Sequence, residues 1–234
     1  MKIILTAKLK KAEIIADNRP SLVSFFKNAF SSYNKELFNK YYTGYVRKNF
    51  CFSLKLNHPV FNGDNISLSD ETIEMIIHTY SIEDGIDIYN SLCMQKGKEY
   101  PLPENNGLTL TDVCIRNHKQ ISSNEILIKM YSPLLVRKHE NNKDYFLTPE
   151  HGDFDKYFSM SVSDFLTREE IYICNDVEII PVNPKKTVPI SFGYKVTGNL
   201  GTFKLRGNPE LLNLLYQSGI GSKRSQGFGL FEII

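Results

Sequence analysis

Two closely spaced pairs of glycines, with two cations between them, lie near the end of the chain. The paired glycines are Gly219 and Gly221, then Gly227 and Gly229, and the cations are Lys223 and Arg224. Glycine adopts positive φ and lets the backbone approach a ligand closely, while lysine and arginine attract phosphate groups. The segment therefore predicts a loop that holds a phosphate chain. A Gly-rich turn before a last strand gives the same pattern, so the elements around the loop must decide between a phosphate-binding loop and a simple turn.

The charge of the chain is mild overall but uneven along its length. The 234 residues carry a formal net charge of +2, which does not by itself indicate a polyanionic partner. Residues 27 to 55 contain six cations and one acid, whereas residues 64 to 87 contain seven acids and no lysine or arginine. We expect one basic face and one face that phosphates avoid, with chance clustering on a solvated surface as the alternative.

Cysteine usage and hydropathy argue against a metal centre, a disulfide framework and export. The four cysteines show no Cys-x-x-Cys spacing, and no histidine stands at ligand spacing from them. We expect reduced core thiols in a cytoplasmic protein that needs no metal or cofactor. The first apolar run is too short for a signal peptide, and no stretch approaches the roughly 18 apolar residues of a membrane span.

Hydrophobic periodicity divides the chain into two halves with a similar order of elements. In the first half, apolar residues from Leu22 to Tyr33 recur at helical spacing, and Pro20 fits the first turn of that helix. The other elements predicted there are strands at 2–9, 50–56 and 66–68, the last after an Asn-Gly-Asp turn at 62–64, a β-branched segment at 71–80, a helical segment at 82–95 and a strand at 108–115.

After a polar stretch at 116–124 the pattern restarts. The elements predicted in the second half are strands at 125–136 and 145–147, a broken helix at 153–172, strands at 177–181, 189–196 and 201–206 with a turn near 198–199, a helix at 208–217 and a last strand at 228–234. The two halves predict an α+β fold of two tandem ferredoxin-like (RRM-like) domains with antiparallel sheets. We place the domains at 1–119 and 120–234.

Three further stretches give the chain a specific resemblance. They are Phe-Cys-Phe-Ser-Leu at 50–54, Tyr-Ser-Pro-Leu-Leu-Val at 131–136, and Phe-Lys-Leu-Arg-Gly at 203–207, which leads on to the Gly-rich loop. In this order, on a duplicated ferredoxin-like pattern, they resemble the CRISPR-associated endoribonucleases of the RAMP superfamily, which process precursor CRISPR RNA at its repeats. The resemblance covers nearly the whole chain.

The resemblance implies RNA cleavage without a metal ion. In this family the ribose 2′-hydroxyl beside the scissile phosphate attacks it, leaving a 2′,3′-cyclic phosphate and a 5′-hydroxyl. Such a cut needs in-line positioning, a group that takes the 2′ proton, a group that protonates the leaving oxygen, and a cation for the phosphorane charge.

The catalytic residues implied by the resemblance depart from the family pattern. Many members carry a histidine between the first helix and the Phe-x-x-Ser strand, whereas this segment has none. Ungapped counting puts Tyr42 at the histidine position, Lys48 where lysine is common, and Lys27 where some relatives have tyrosine. A tyrosine with an ordinary pKa near 10 is a weak base at neutral pH.

Two catalytic roles for Tyr42 are open. In one, neighbouring cations lower its pKa by favouring the phenolate. Those cations are Lys27, Lys40, Arg47 and Lys48. In the other, Lys48 or Arg47 stabilises the phosphorane while Tyr42 orients the 2′-hydroxyl. The alternative without catalysis is that Tyr41, Tyr42 and Tyr45 stack on bases or pack the helix end.

The histidines offer no replacement at the expected place. The five are His58, His78, His118, His139 and His151. His58 precedes a proline in a loop after the Phe-x-x-Ser strand, and His139 and His151 stand at loop-like positions of the second half. We expect none of them to be the catalytic histidine of the family.

RNA contacts are implied for the Gly-rich loop and for several cations. The four paired glycines, with Lys223 and Arg224, would hold the backbone of the repeat, and the binding would weaken with salt. The secondary candidates are Lys204, Arg206, Arg47, Arg137 and Lys138. Arg137 and Lys138 fit an exposed strand end equally well.

Three functions follow from these observations. The first is a metal-independent endoribonuclease with a histidine-free site, the second a repeat-binding protein that has lost catalysis, and the third a structural subunit of an RNA-guided effector complex. The expected partner is CRISPR repeat RNA, with other subunits of a CRISPR effector complex as further candidates. The chain would act as a monomer or homodimer.

Overall fold

The computed structural model describes residues 1–44 and 48–234, and each half of the chain builds an antiparallel sheet. The elements of the first half are β1 (Lys2–Leu9), β2 (Glu13–Ile15), α1 (Arg19–Tyr33), α2 (Lys35–Tyr42), β3 (Phe50–Leu56), β4 (Val60–Asn62), β5 (Asn65–Ser67), β6 (Thr72–Thr79), α3 (Ile82–Cys93), β7 (Glu99–Leu102) and β8 (Asn106–Arg116). The elements of the second half are β9 (Glu125–Met130), β10 (Val136–Glu140), β11 (Lys143–Leu147), α4 (Phe154–Arg168), β12 (Glu178–Thr187), β13 (Ile190–Ser191), β14 (Tyr194–Lys195), β15 (Gly198–Arg206), α5 (Pro209–Ser218) and β16 (Phe231–Ile233). The Gly-rich loop, Gly219 to Gly229, contains one short 3-10 turn at Arg224–Gln226.

The first half is a ferredoxin-like sheet with the strand order β3-β6-β1-β8-β7. Helices α1 and α3 share its apolar core. The predicted helical stripe is confirmed, because α1 buries Leu22, Phe25, Phe26, Ala29 and Phe30. Phe26 packs edge-on against Phe52 of β3, with 4.9 Å between the ring centroids. Proline stands in the first turn of α1, where no amide hydrogen bond is lost.

The second half repeats this arrangement. Its sheet has the order β12-β15-β9-β16, which corresponds strand for strand to β3-β6-β1-β8. Helices α4 and α5 form its core with the sheet, through residues such as Phe158, Phe203 and Leu211. The predicted class of two tandem ferredoxin-like folds is therefore confirmed. The division at 119/120 falls between β8 and β9 and stays a prediction.

Three predicted elements of the second half differ from the structure. The strand expected at 125–136 is divided, because Pro133 lacks an amide hydrogen and the chain leaves the sheet between β9 and β10. The helix expected to be broken is the continuous helix α4. Gly198 and Asn199 lie inside β15, which pairs with β12 rather than with residues 189–196. The strand expected at 189–196 is instead the short hairpin of β13 and β14, whose turn residues Phe192 and Gly193 both have positive φ.

One helix was not predicted. Helix α2 begins after Asn34, whose side chain accepts a hydrogen bond from the Glu36 amide at 2.7 Å. This cap, together with the buried pair Leu37 and Tyr41 at i, i+4, is the signal that would have revealed it. The helix matters for the site because Tyr42 is its last residue.

Two cations of the basic segment pair with acids of the acidic segment, so the expected separation of a basic face from an acidic face does not hold for them. Strand β3 lies beside β6, so Lys55 faces Glu74 across the sheet and pairs with it at 3.1 Å. Lys40 of α2 forms an ion pair with the buried carboxylate of Asp84 in α3. The antiparallel register thus places cations of the basic segment against acids of the acidic one.

The composition-based expectations can be compared with the described residues. All four cysteines are free, but only Cys51 is buried, while Cys93 and Cys114 are partly exposed and Cys174 is exposed. The expectation of core thiols therefore holds for one of the four. Within residues 1–44 and 48–234, no helix has the length and apolar character needed to cross a membrane.

The two halves meet through the outer face of β3 and β6. Cys51 and Ile76 form a buried cluster with Leu230 from the second half. The Ser53 hydroxyl donates to the Tyr131 carbonyl at 3.1 Å, and Lys2 pairs with Glu232 at 2.6 Å. Apolar burial and a few polar contacts therefore join the two sheets.

A pair of histidines lies in this contact between the halves. His78 is 1% exposed, and its Nδ1 donates to the Tyr216 carbonyl at 3.0 Å. Its ring lies edge-on to that of His118, with 4.5 Å between centroids. Burial lowers the pKa of His78 to about 3, which outweighs the opposing effect of the Tyr216 carbonyl.

Acid should therefore destabilise the protein through His78. Between pH 6.5 and 3 the unfolded chain binds a proton there that the folded chain excludes, so the free energy of unfolding falls as pH falls. At pH 5 the expected loss from His78 is about 2 kcal/mol relative to pH 7.5, and His118, whose pKa burial also lowers to about 3, adds a further loss. Urea unfolding at the two pH values measures it. His78→Gln should reduce the difference and leave the part that His118 contributes, whereas His58→Asn, at an exposed loop position, should not change it. An unchanged difference in His78→Gln would contradict the assignment.

Candidate nucleic-acid interface and catalytic site

A groove of about 430 Å³ opens where the Gly-rich loop meets both halves of the chain. Four cations and one acid, Asp164, line this groove, and we call it the basic groove because the cations outnumber the acid. The cations are Lys48, Arg137, Lys223 and Arg224. The rest of the lining is formed by Gly221, Ser222, Ser225 and Gln226 of the loop, His139 of β10, and Tyr157, Met160 and Ser161 of α4. Cations from both halves therefore surround one cavity.

Backbone hydrogen bonds join the two ends of the Gly-rich loop to each other and the loop to the segment before β10. The Ile220 amide donates to the Gly229 carbonyl at 2.9 Å, and the Ser222 amide donates to the Leu135 carbonyl at 2.9 Å. Within the described part of the chain, the amides of Gly221 and Lys223 have no hydrogen-bond partner. Both of these residues have positive φ and both line the basic groove. Free amides in such a conformation bind anions.

The glycines are required mainly by contacts within the protein. Gly219 has a φ of +71°, and a Cβ atom built there would lie 2.6 Å from the Cys51 sulfur. Gly221 has a φ of +76°, and its Cβ would lie 2.6 Å from the Leu135 carbonyl oxygen. Gly227 packs on the Phe52 ring and Gly229 on the Ile220 carbonyl. Of the four, only Gly221 lines the basic groove, and the RNA contacts expected of all four stay a prediction.

The two cations of the loop have different surroundings. Lys223 is exposed, in the left-handed region at φ 56°, with its Nζ 5.4 Å from the centre of the Phe146 ring. Arg224 instead donates from Nη1 to the carbonyls of Ser218 and Gly219 at 3.1 and 3.3 Å, and its guanidinium lies 4.3 Å from the centre of the Phe165 ring. Burial lowers the pKa of Arg224. Arg224 is thus held by the protein, and Lys223 is the loop cation available to a ligand.

The three residues suggested for catalysis lie together at the end of α2. The Nζ atom of Lys48 lies 4.5 Å from the centre of the Tyr42 ring, and that of Lys27 lies 5.1 Å from it. Ammonium groups at such distances interact favourably with the ring. Lys48 also lines the basic groove, so this cluster reaches the cavity through Lys48.

The expectation that nearby cations lower the pKa of Tyr42 is wrong. Burial raises the pKa of Tyr42, because the phenolate would lose its hydration, and this outweighs the attraction of the lysines. Burial, and secondarily the charge of Lys27, lower the pKa of Lys48. Lys40 pairs with Asp84 and lies near the ring of Tyr41, which is 1% exposed and packs in the core. Tyr42 is therefore a neutral phenol beside two ammonium groups.

The secondary RNA-binding candidates divide into two groups. Arg137 lines the basic groove, with its Nη1 3.4 Å from Asp144. The others that the structure describes pair with acids away from the groove lining: Lys204 and Arg206 with Glu125, Arg206 also with Glu178, and Lys138 with Glu140 and Asp153. Arg47 lies outside the described residues. Tyr45 does as well.

Sequence reasoning missed a histidine in the basic groove. The sequence predicts a loop-like position for His139, but the residue lies in strand β10 and lines the cavity with Arg137. The two-residue spacing of Arg137 and His139, which sets both on one face of a strand, is the signal that would have found it. No group of three or more His, Cys, Asp or Glu side chains that could hold a metal ion occurs among residues 1–44 and 48–234.

Comparisons with known proteins relate this geometry to one family. Residues 116–233 match the family model described as CRISPR associated protein Cas6, C-terminal. No curated protein sequence matches the chain. Similar solved structures include a Cas6-related protein from Pyrococcus furiosus (19% identity, TM-score 0.88, covering 100% of this chain and 98% of that one). They also include a RAMP protein that binds different RNA substrates (17% identity, TM-score 0.86, covering 100% of this chain and 99% of that one). A third is a Cas6 product complex (14% identity, TM-score 0.75, covering 100% of this chain and 99% of that one). At these identities the structural likeness establishes the fold alone.

Replacement of Gly221 by alanine should test whether the loop depends on close packing. Gly221→Ala combines a strained φ with overlap at the Leu135 carbonyl, so we expect a loss of about 2–4 kcal/mol in the free energy of unfolding. The matched control is Gly97→Ala, which has a similar φ of +74° but open space around the built Cβ, and which should lose only about 1–2 kcal/mol. Urea unfolding compares them. Equal losses would show that packing around Gly221 does not matter.

Proposed function

Because the chain belongs to the Cas6 family of CRISPR-associated RAMP proteins, we propose that it binds CRISPR repeat RNA in the basic groove and cuts precursor CRISPR RNA there without a metal ion. The products would be a 2′,3′-cyclic phosphate and a 5′-hydroxyl. The shape of the repeat and its splayed bases would supply specificity, and the phosphates would supply salt-sensitive affinity.

The observation that carries this proposal is the meeting of cations from the two halves in one cavity. Lys48 comes from the first half, while Arg137 and Lys223 come from the second. A phosphate chain that crosses the groove would contact the second-half cations and bring one phosphate to Lys48. The free amides of the Gly-rich loop support the same binding mode.

The chemistry we propose assigns separate tasks to the clustered residues. Lys48 stabilises the negative charge of the phosphorane, and the second ammonium group at Lys27 adds to the positive potential there. Tyr42 orients the attacking 2′-hydroxyl as a neutral phenol. Its raised pKa argues against a role as the base.

A second candidate function is binding without cleavage. The observation that favours it is the same raised pKa of Tyr42, together with the absence of histidine among the described residues of the family's catalytic segment. Such a protein would hold the repeat in the basic groove and leave it intact. A cleavage assay separates the two functions.

Purified protein should cut its cognate repeat RNA in EDTA. A 2′-deoxy substitution at the scissile nucleotide should abolish the cut, because the attacking oxygen is removed. Gel analysis of end-labelled RNA, with phosphatase tests for the cyclic phosphate, measures both results. Cutting that survives the 2′-deoxy substitution would rule out the mechanism, and tight binding with no product at excess protein would select the second candidate.

Lys223 should contribute to binding through a phosphate. We expect Lys223→Ala to weaken repeat binding and to reduce the slope of log K against log salt by roughly 0.7–1, the value for one phosphate contact. Lys98→Ala removes an exposed lysine that does not line the basic groove and is the matched control. Titrations of labelled RNA at several salt concentrations give the slopes. Equal slopes for the two variants would remove Lys223 from the interface.

A further inference from the structure

A histidine and an aspartate form a pair at the edge of the basic groove. His139 and Asp144 face each other across the hairpin of β10 and β11. His139 Nδ1 lies 2.7 Å from Asp144 Oδ1, and the other carboxylate oxygen lies 3.4 Å from Arg137 Nη1. Asp144 thus holds both the imidazole and the guanidinium on one face of the hairpin. The hydrogen bond from His139 is the main reason that the pKa of Asp144 is lowered.

The pair leaves one nitrogen of His139 available. Because Nδ1 contacts Asp144, Nε2 is the ring nitrogen without a hydrogen-bond partner in the described part of the chain. The His139 side chain is 58% exposed and lines the cavity that also contains Lys48 and Lys223. A carboxylate that accepts from one imidazole nitrogen fixes the ring and its tautomer, and the other nitrogen can then accept a proton.

The proposed reaction needs a proton acceptor that the Tyr42 cluster does not supply. Tyr42 is a neutral phenol whose pKa is raised by burial, and in the proposed reaction the ammonium charge of Lys48 stabilises the phosphorane, so neither group serves as the proton acceptor. Asp164 is the other acid–base candidate in the groove lining, but it is an exposed carboxylate whose charge would repel phosphates. His139 is the imidazole that lines this cavity among the described residues.

We propose that His139 is the general base of the cleavage reaction, with Asp144 as its positioning residue. This inference rests on the proposed function. It assigns the removal of the 2′ proton to the second half of the chain, whereas the phosphorane is stabilised from the first.

The step balances as an internal transesterification. The 2′ oxygen forms a bond to phosphorus and gives its proton to His139 Nε2. The bond from phosphorus to the 5′ oxygen breaks, and that oxygen takes a proton from the Lys48 ammonium group. The products are the cyclic phosphate and the 5′-hydroxyl, and solvent then restores the two side chains to their starting protonation states.

Single-turnover cleavage of the cognate repeat RNA by the full chain in EDTA tests the proposal. His139→Ala should slow the cut by about 10²–10⁴-fold, with RNA affinity within a few-fold of the original. Added imidazole should restore part of the lost rate, which a merely structural role would not allow. Asp144→Asn should slow the cut less, because the imidazole is retained, and should not respond to imidazole. His58→Asn, at an exposed position outside the groove lining, is the matched control and should cut at the original rate.

Each outcome bears on a different claim. If the original protein cuts and His139→Ala cuts equally fast, the role of His139 is overturned and the proposed function stays intact. A parallel loss of binding and cutting in His139→Ala, without imidazole rescue, would make His139 an RNA-holding residue and overturn the proposal. If the original protein does not cut, both the proposed function and the role of His139 fail.

Discussion

The packing of the Gly-rich loop against strand β3 is the contact on which the rest of the groove depends. A Cβ atom at Gly219 would collide with Cys51, and Gly227 lies directly on the Phe52 ring. β3 belongs to the first half and the loop to the second, so one contact both shapes the loop and joins the halves. Arg19 strengthens it from α1, with its guanidinium 4.2 Å from the centre of the Phe228 ring. Since protein interiors are close-packed, added volume at these positions must displace a strand or the loop.

The placement of charge follows from that contact. Lys48 stands just before β3, and Lys223 stands in the loop that β3 supports, so the two cations line the same cavity although they are far apart in the chain. Elsewhere most of the suggested cations are paired with acids, as Lys204 and Arg206 are with Glu125. Exposed ion pairs of this kind add little to stability, but they reduce the positive potential around them. The basic groove therefore differs from the rest of the described surface because its cations outnumber its acids, not because it has more cations.

Burial sets the protonation states around the groove more strongly than neighbouring charge does. Two ammonium groups lie near Tyr42, yet its pKa rises, because an ammonium over a ring face attracts the neutral phenol as well and does not replace the hydration lost by the phenolate. The same principle keeps His78 neutral between the halves. In the proposed mechanism, the exposed hairpin of β10 and β11 supplies an imidazole in contact with solvent and substrate, which the partly buried cluster of Tyr42, Lys27 and Lys48 does not contain.

The sequence by itself determined the order of elements and the fold class. The apolar stripe of α1, the helix before the Gly-rich loop and the restart after residue 124 are local patterns, and local periodicity reports which face of an element is buried. Two features that were not predicted also have local signals in the sequence. Asn34 caps the start of helix α2, and Pro133 lacks the amide hydrogen that a continuous strand would need. What only the tertiary structure decided is which distant residues meet. Lys55 pairs with Glu74, Gly219 faces Cys51, and His139 shares a cavity with Lys48. These contacts depend on strand register and on the packing of one half against the other, and no spacing along the chain specifies either.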